Sequence, residues 1–226
     1  MFDLDTSDNL STLATLARRT APKDALAELG RILSGQPAYP AYNGMALHAS
    51  DLGASDSAAI IDLNHPGRTP RLTASLDEIG LEAFDLQLSQ CDAAATQSKV
   101  DTNPAFVALR LGWLLKCLDL AFGHLEGRES FGIQLLHQPL IKAQISEISA
   151  AADRLMGEIQ LPGGQTAAMM LSAHRETSLL FSKASKLMGG RGLLEGQCHG
   201  LEFLDSVFFA LIRPAFHAVS DDLKRG

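Results

Sequence analysis

The stretch from Asn103 to Leu161 most constrains the fold, because it holds two long apolar segments joined by the polar link EGRESFG. In the first segment, apolar side chains would cover more than half of the circumference of a helix. A helix with so wide an apolar surface is buried on several sides, as in a bundle. In the second segment, apolar residues recur mostly at three- and four-residue steps. We therefore predict two long helices that pack antiparallel across the short link.

Two further helices are predicted after this pair. The third runs from about Thr166 to Met188 and is ended by the glycine-rich segment Gly189–Gly192. The fourth runs from about His199 to Ser220, with Pro214 expected to kink or end it. The pattern as a whole predicts a mainly α protein whose four-helix up-down bundle occupies residues 101–226.

Residues 1–100 are predicted to form a smaller, weakly patterned N-terminal part. Two short amphipathic helices are expected, at 8–19 and 21–33. The segment GQPAYPAYNG, residues 35–44, is predicted to be a loop because prolines and an Asn-Gly pair break its periodicity. Strand patterns follow at 45–50, at 57–64 and, less regularly, at 72–89. So small a group of strands must lean on the bundle or on a neighbouring molecule.

Charge and cysteine content exclude several classes of partner. The formal net charge is −7, so neither nucleic acid nor an anionic membrane is an expected partner. Three widely spaced cysteines (Cys91, Cys117 and Cys198) form no CxxC pair, which favours a reduced, cytoplasmic setting. We expect no membrane span and no signal peptide, because no apolar run is long enough and residues 1–20 are acidic and then basic.

Familiar catalytic and metal-binding motifs are absent from the sequence. It contains no HExxH, no GxSxG, no Walker-type glycine loop and no histidine pair at metal-ligand spacing. Four histidines lie on or beside the predicted helices: His124, His137, His174 and His199. We interpret them as capping or interface groups and predict no metal site.

The link between the two long helices carries a more specific pattern. Arg128, Phe131, Gly132 and Leu135 are spaced as R-x-x-F-G-x-x-L, and Ile145–Ile148 continue as apolar, small, acidic, apolar. This segment resembles the first bundle hairpin of the acyl-CoA dehydrogenase family. The resemblance implies the C-terminal helical-bundle domain of that family. Residues 1–100 would then be a shortened remnant of its N-terminal helices and β-domain.

The resemblance also implies a cofactor, FAD. In the family, the arginine of the link, here Arg128, reaches across a subunit interface to the pyrophosphate of FAD; a guanidinium suits phosphate because its planar fork binds two oxygens. Phe131 and Leu135 would line the adenine end of the cofactor. A second family pattern, G-G-x-G, matches at Gly189 and Gly190, where bare backbone would let the cofactor approach. The family's usual glutamine three residues before this pair is Lys186 in this chain.

The catalytic base departs from the family pattern. Dehydrogenation of an acyl thioester needs a carboxylate to take the α-proton. The usual glutamate position falls on Gly196, with Glu195 next to it. A second family position, at the start of the first bundle helix, falls on Thr102, with Asp101 next to it. One residue rotates a helical side chain by about 100°, so neighbouring positions are not interchangeable. Glu195 is the candidate base.

Three functional hypotheses follow from the resemblance. The first is an acyl-CoA dehydrogenase-like flavoprotein, an FAD-dependent oxidoreductase acting on an acyl thioester of coenzyme A or a carrier protein. The second is an inert partner subunit that completes the flavin site of a larger chain. The third is a bundle without flavin that serves assembly. The family's Arg-Asp pair in the fourth helix is Leu204-Asp205 here, keeping only the acid. We expect a homo-oligomer or a hetero-oligomer with a full-length relative.

Overall fold

The computed structural model describes residues 7–52, 60–63, 65, 68–76, 80–92, 103–161, 165–194 and 196–212. In these residues the chain forms six α-helices, a five-stranded sheet and a small β-hairpin. The helices are α1 (Ser7–Arg19), α2 (Pro22–Ser34), α3 (Asn103–Glu126), α4 (Pro139–Ile159), α5 (Ala167–Lys186) and α6 (Cys198–Ile212). The strands are β1 (Tyr39–Tyr42), β2 (Met45–Ala49), β3 (Ile60–Asp62), β4 (Leu72–Leu76), β5 (Leu86–Cys91), β6 (Glu129–Ser130) and β7 (Ile133–Gln134).

Helices α3 to α6 form the bundle, which confirms the predicted fold class: mainly α, with a four-helix up-down bundle and a small helical and β appendage. Helix α3 is its centre, and Trp113 and Phe106 are almost completely buried there. Both rings meet Phe208 of α6 edge-on, at centroid distances of 5.6 and 5.7 Å. This geometry is the favoured one for aromatic pairs. The described part of α6 ends at Ile212, so Pro214 lies outside the described residues.

Helix α1 packs directly on α3 and belongs to the same hydrophobic core as the bundle. The two backbones come very close at Gly112, where an added Cβ would overlap the carbonyl oxygen of Ala14 and lie 2.5 Å from the Cβ of Ala17. Glycine is therefore required at this crossing. Beside it, Arg18 of α1 donates two hydrogen bonds of 2.7 Å to the carboxylate of Asp119 of α3.

The sheet has the strand order β3-β1-β2-β5-β4, with β1 and β3 parallel and the other neighbours antiparallel. The prediction of a loop over residues 35–44 is wrong, because β1 lies inside it. Pro40 pairs in register with Ile61 of β3 but with no residue of β2, since the pairing of β1 with β2 begins only at Ala41. The sheet packs on α2 through β1, β2 and β3. The short turn before β5 reaches α6, where the Phe84 ring would lie 3.1 Å from a Cβ added to Gly200.

One end of the α3–α4 pair is less covered than the sequence predicts. Phe122 of α3 and Leu140 of α4, both expected inside the bundle, are 45% and 70% exposed. They flank the link between the two helices, where the described chain places no further element over them.

In the described ranges no helix is long and apolar enough to cross a membrane.

Candidate functional site

The link between α3 and α4 is a tight β-hairpin. Strands β6 and β7 pair Glu129 with Gln134 and Ser130 with Ile133. The turn residues, Phe131 and Gly132, both have positive φ, at 53° and 74°. Two-residue hairpins of type I′ require this conformation, which glycine adopts easily and phenylalanine does not. The Phe131 side chain is fully exposed at the tip of the hairpin.

The second predicted motif follows α5. A short 3-10 turn spans Gly189–Leu193, and Gly189 begins it with a φ of 54°. A Cβ added to Gly189 or Gly190 would meet nothing within 4 Å. Gly192 is different, because a Cβ there would lie 3.0 Å from the His199 ring. The first two glycines thus expose bare backbone, whereas the third is needed for packing.

The C-terminal end of α3, with the first residues of the link, meets the turn after α5 at one end of the bundle, and the two line an open cleft of about 610 Å³. The residues that line it are Gly123, His124, Gly127 and Arg128 on one side and Met188, Gly189, Gly190 and Arg191 on the other. Four of the eight are glycines, so much of the wall is backbone. The fold has therefore brought together Arg128 and the Gly189-Gly190 pair, which are distant in the sequence.

Within the described residues, the positive charge of the cleft is not paired with a carboxylate. Arg128 Nη1 donates a hydrogen bond of 2.7 Å to Nε2 of His124, the only side-chain hydrogen bond that Arg128 makes within the described chain. No carboxylate in the described ranges forms an ion pair with Arg128 or Arg191. Desolvation, and after it the charges of Arg128 and Arg191, lower the pKa of His124. The arrangement suits an anionic group with several oxygen atoms.

The remaining predicted site residues lie elsewhere. Phe131 at the hairpin tip and the half-buried Leu135 are not among the residues that line the cleft. Glu195, the candidate base, lies outside the described residues, as do Asp101 and Thr102. Gly196, at the usual family position of the base, has a φ of 71°, a conformation that favours glycine over a residue with a carboxylate.

A second polar cluster, which the sequence did not predict, lies inside the bundle. Arg110 of α3 is fully buried and donates hydrogen bonds of 2.6 and 2.8 Å to the carboxylate of Asp205 on α6. It also donates to Nδ1 of His174 at 2.7 Å and to Oγ of Ser178 at 2.6 Å, both on α5. Its guanidinium carbon stands 4.5 Å from the ring centroid of Phe209. The cluster joins α3, α5 and α6 around the ion pair of Arg110 and Asp205.

Only part of this cluster left a signal in the sequence. Asp205 stood out as the acid of the family's Arg-Asp pair, and the structure supplies its arginine from α3 rather than from the neighbouring residue. The role of Arg110 could not be predicted, because a single arginine in an apolar helix belongs to no recognisable motif. The interpretation of His174 as a capping or interface group is wrong, since it is fully buried. Burial, followed by the charge of Arg110, holds its pKa well below the ordinary value.

Within the part of the chain that the structure describes, the cysteines and acidic groups form no additional site. Cys117 and Cys198 are buried side by side, and Cys198 Sγ lies 3.0 Å from Sδ of Met188 beneath the cleft. Hydrogen bonding to Cys198 and then burial raise the pKa of Cys117 far above that of an ordinary thiol. Among the described residues, no group of three His, Cys, Asp or Glu side chains could hold a metal ion.

Comparison with known proteins gives structural neighbours and no sequence relatives. No family model matches the chain, and no curated protein matches it. Among solved structures it is similar to FkbI, an acyl-CoA dehydrogenase-like protein described as serving biosynthesis of the methoxymalonyl extender unit of the polyketide immunosuppressant Fk520. That similarity has a TM-score of 0.58 at 11% identity and covers 94% of this chain and 84% of FkbI.

A second structural neighbour is acyl-CoA dehydrogenase from Geobacillus kaustophilus. The TM-score is 0.40 at 14% identity, and the match covers 74% of this chain and 58% of that enzyme. Identities this low bear on the fold alone. This second match is too weak to support an argument. The match to FkbI shows that the fold of this chain is acyl-CoA dehydrogenase-like, a helical bundle with a small β sheet.

Proposed function

We propose that the chain is an acyl-CoA dehydrogenase-like flavoprotein, an FAD-dependent oxidoreductase acting on an acyl thioester. The observation that carries the proposal is the cleft, because Arg128 and the Gly189-Gly190 pair, matched separately to the family, line one cavity. Its fold neighbour FkbI is described as acting in the assembly of an acyl extender unit, which agrees with a thioester as substrate. The thioester carrier would be coenzyme A or a carrier protein.

The residues of the cleft fit the diphosphate of FAD. Arg128 is exposed, and an anion can replace His124 as the partner of its guanidinium. The backbone at Gly189 and Gly190 faces open space, so a phosphate can approach it more closely than any side chain would permit. Arg128 would hold the diphosphate by two parallel hydrogen bonds. Phe131 and Leu135, which lie beyond the cleft, would contact the adenine end.

In this proposal the protein binds the flavin and the acyl thioester, orients them, and takes a proton from the thioester. Bound flavin supplies the hydride acceptor for dehydrogenation at the β-carbon of the thioester. Glu195 is proposed as the base that takes the α-proton, since the backbone at Gly196 disfavours a carboxylate there. Glu195→Gln is expected to abolish reduction of bound flavin by an acyl thioester while FAD remains bound. Undiminished reduction would remove Glu195 from this role.

The cofactor assignment is tested by titrating the purified full chain with FAD and following the quenching of flavin fluorescence. Arg128→Ala removes a charge-assisted bidentate contact, so the affinity for FAD is expected to fall about tenfold or more. The matched control is Arg175→Ala, which removes an exposed arginine of α5 outside the cleft and is expected to change nothing. Equal affinities of both variants would contradict the assigned role of Arg128.

A second candidate function is favoured by the exposed apolar surface beside the cleft. Phe131 is fully exposed, and Ile133 and Leu140 are each more than half exposed, as at surfaces that meet another chain. The chain would then be an inert partner that lends Arg128 to a flavin held mainly by a larger subunit. Flavin retained only after co-purification with such a subunit, together with the mass of the native complex, would favour this candidate over the first.

A further inference from the structure

The cleft holds more positive charge than Arg128 alone provides. Arg191 enters it from the turn after α5, and His124 enters from the last turn of α3. The C-terminal ends of α3 and α5 lie beside the cleft, and each contributes about half a unit of negative charge. Two guanidinium groups exceed that total, and no carboxylate is among the residues that line the cleft. The wall of the cleft therefore offers positive charge to an anionic ligand.

The hydrogen bond between Arg128 and His124 fixes the state of the imidazole. An arginine can only donate, so Nε2 of His124 accepts the bond and carries no proton. The charged groups that face His124 in the described chain are Arg128 and Arg191, both cationic. No acidic side chain of those ranges is paired with it. The imidazole is thus held neutral by its surroundings while the cleft contains no anion.

An anion in the cleft would reverse this balance. A diphosphate between the two arginines would redirect the Arg128 guanidinium to phosphate oxygens and leave Nε2 of His124 facing negative charge. An imidazole beside negative charge gains a proton more readily, and the protonated ring can donate a third charge-assisted hydrogen bond. The room for such a group exists, because a Cβ at Gly123, Gly127, Gly189 or Gly190 would meet nothing within 4 Å.

We propose that Arg191 and His124 are ligand-binding residues of this cleft, which hold a diphosphate together with Arg128, and that His124 binds it in the protonated form. The inference rests on the proposed function. It adds two binding residues, Arg191 and His124, and the uptake of a proton by His124 when the ligand binds. The ligand class is an adenosine diphosphate group, a chemistry that FAD and coenzyme A share. Binding then takes up a proton, and affinity rises as the pH falls toward about 6.5, the ordinary pKa of histidine.

The test is titration calorimetry of the full chain with ADP near neutral pH, in two buffers that differ in heat of ionisation. Wild type is expected to take up a fraction of one proton on binding. His124→Gln keeps a neutral hydrogen-bonding side chain, so it is expected to bind without proton uptake and about threefold to tenfold more weakly. Arg191→Ala is expected to lose about tenfold in affinity, with Arg191→Lys intermediate and Arg175→Ala unchanged.

The outcomes separate this inference from the proposed function. If Arg128→Ala weakens ADP binding but Arg191→Ala does not, or if the His124→Gln variant still takes up a proton, the inference is wrong and the proposed function stands. If wild type binds neither ADP, FAD nor coenzyme A, both fail. Titrations with FAD and with coenzyme A identify the source of the diphosphate, since the tighter ligand carries the group that the cleft accepts.

Discussion

Two arginine-centred sites in this protein differ in almost every physical respect. Arg110 is fully buried, and its donors are bonded to Asp205, His174 and Ser178. Arg128 is exposed at the end of the bundle and faces an open cleft with Arg191. In the described chain its side chain makes a single hydrogen bond, to His124. The first site joins helices, and in our proposal the second offers charge to a ligand.

If the proposed function holds, the difference separates arginines that serve the fold from arginines that serve a ligand. A buried guanidinium must have its donors satisfied by the protein, because an unpaired buried charge is very costly. An exposed guanidinium loses little by remaining unpaired, since water solvates it. The two sites should therefore respond in opposite ways to mutation: the buried site through stability, and the cleft through binding.

The largest effect is expected at the buried site. Asp205→Ala leaves Arg110 buried without its carboxylate, so the free energy of unfolding should fall by about 3–5 kcal/mol. The control is Asp119→Ala, which breaks the exposed ion pair of α3 with Arg18 and should cost less than about 1 kcal/mol. Urea unfolding followed by circular dichroism measures both. Equal losses would mean that burial of the pair has no energetic consequence and would break the comparison.

Acid should destabilise the protein through His174. Its pKa is lowered in the folded state by burial and then by Arg110, so below pH 6.5 the unfolded chain binds a proton that the folded chain does not. Stability is then complete above the unfolded pKa and falls by about 1.4 kcal/mol per pH unit below it, until the folded pKa is reached. His174→Gln should reduce this slope by the contribution of about one proton. An unchanged slope in this variant would contradict the assignment.

A smaller effect is expected at the hairpin tip. Phe131 has a φ of 53° and is fully exposed, so its left-handed conformation costs stability without visible packing in return. Asparagine tolerates this conformation, and Phe131→Asn should raise the free energy of unfolding by about 1 kcal/mol. Ile133→Asn, in the adjoining strand, is the control and should give no gain. A thermal midpoint that does not rise would indicate that the phenylalanine packs against something in solution.

The smallest effect on stability is expected for the arginines of the cleft. Arg128→Ala and Arg191→Ala should each change the free energy of unfolding by less than about 0.5 kcal/mol, because neither forms an ion pair in the described chain. The same urea measurement checks this. A loss comparable with that of Asp205→Ala would show that these arginines support the fold, and it would remove the distinction between the two sites.

Sequence patterns predicted the helices better than the sites, for a physical reason. Helix α3 could be recognised from the sequence, because burial on several sides needs many apolar residues around the helix. Strand β1 was missed, since two prolines in its neighbourhood concealed that Ala41 and Tyr42 pair with β2. The exposure of Leu140 could not be predicted, because periodicity says which face is apolar and not what covers it.

The two polar sites show the same limit. The hairpin motif and the glycine pair were identified by resemblance, but nothing local in either segment says that Arg128 and Gly189 share a cleft. Arg191 is only the variable position of the G-G-x-G pattern and His124 belongs to no motif, so both became candidates through their position in the fold. Arg110 was missed since its partners lie on two other helices, α5 and α6, far along the chain.

The crossing of α1 and α3 at Gly112 bears on how this polypeptide can be divided. At that point the two backbones are separated by less than the width of a methyl group, so no other residue type can line the contact. A shortened version starting near Asn103 would leave a trough along α3 open to water, with Leu111 and Leu114 beneath it. We expect such a fragment to aggregate and the whole polypeptide to melt in a single transition.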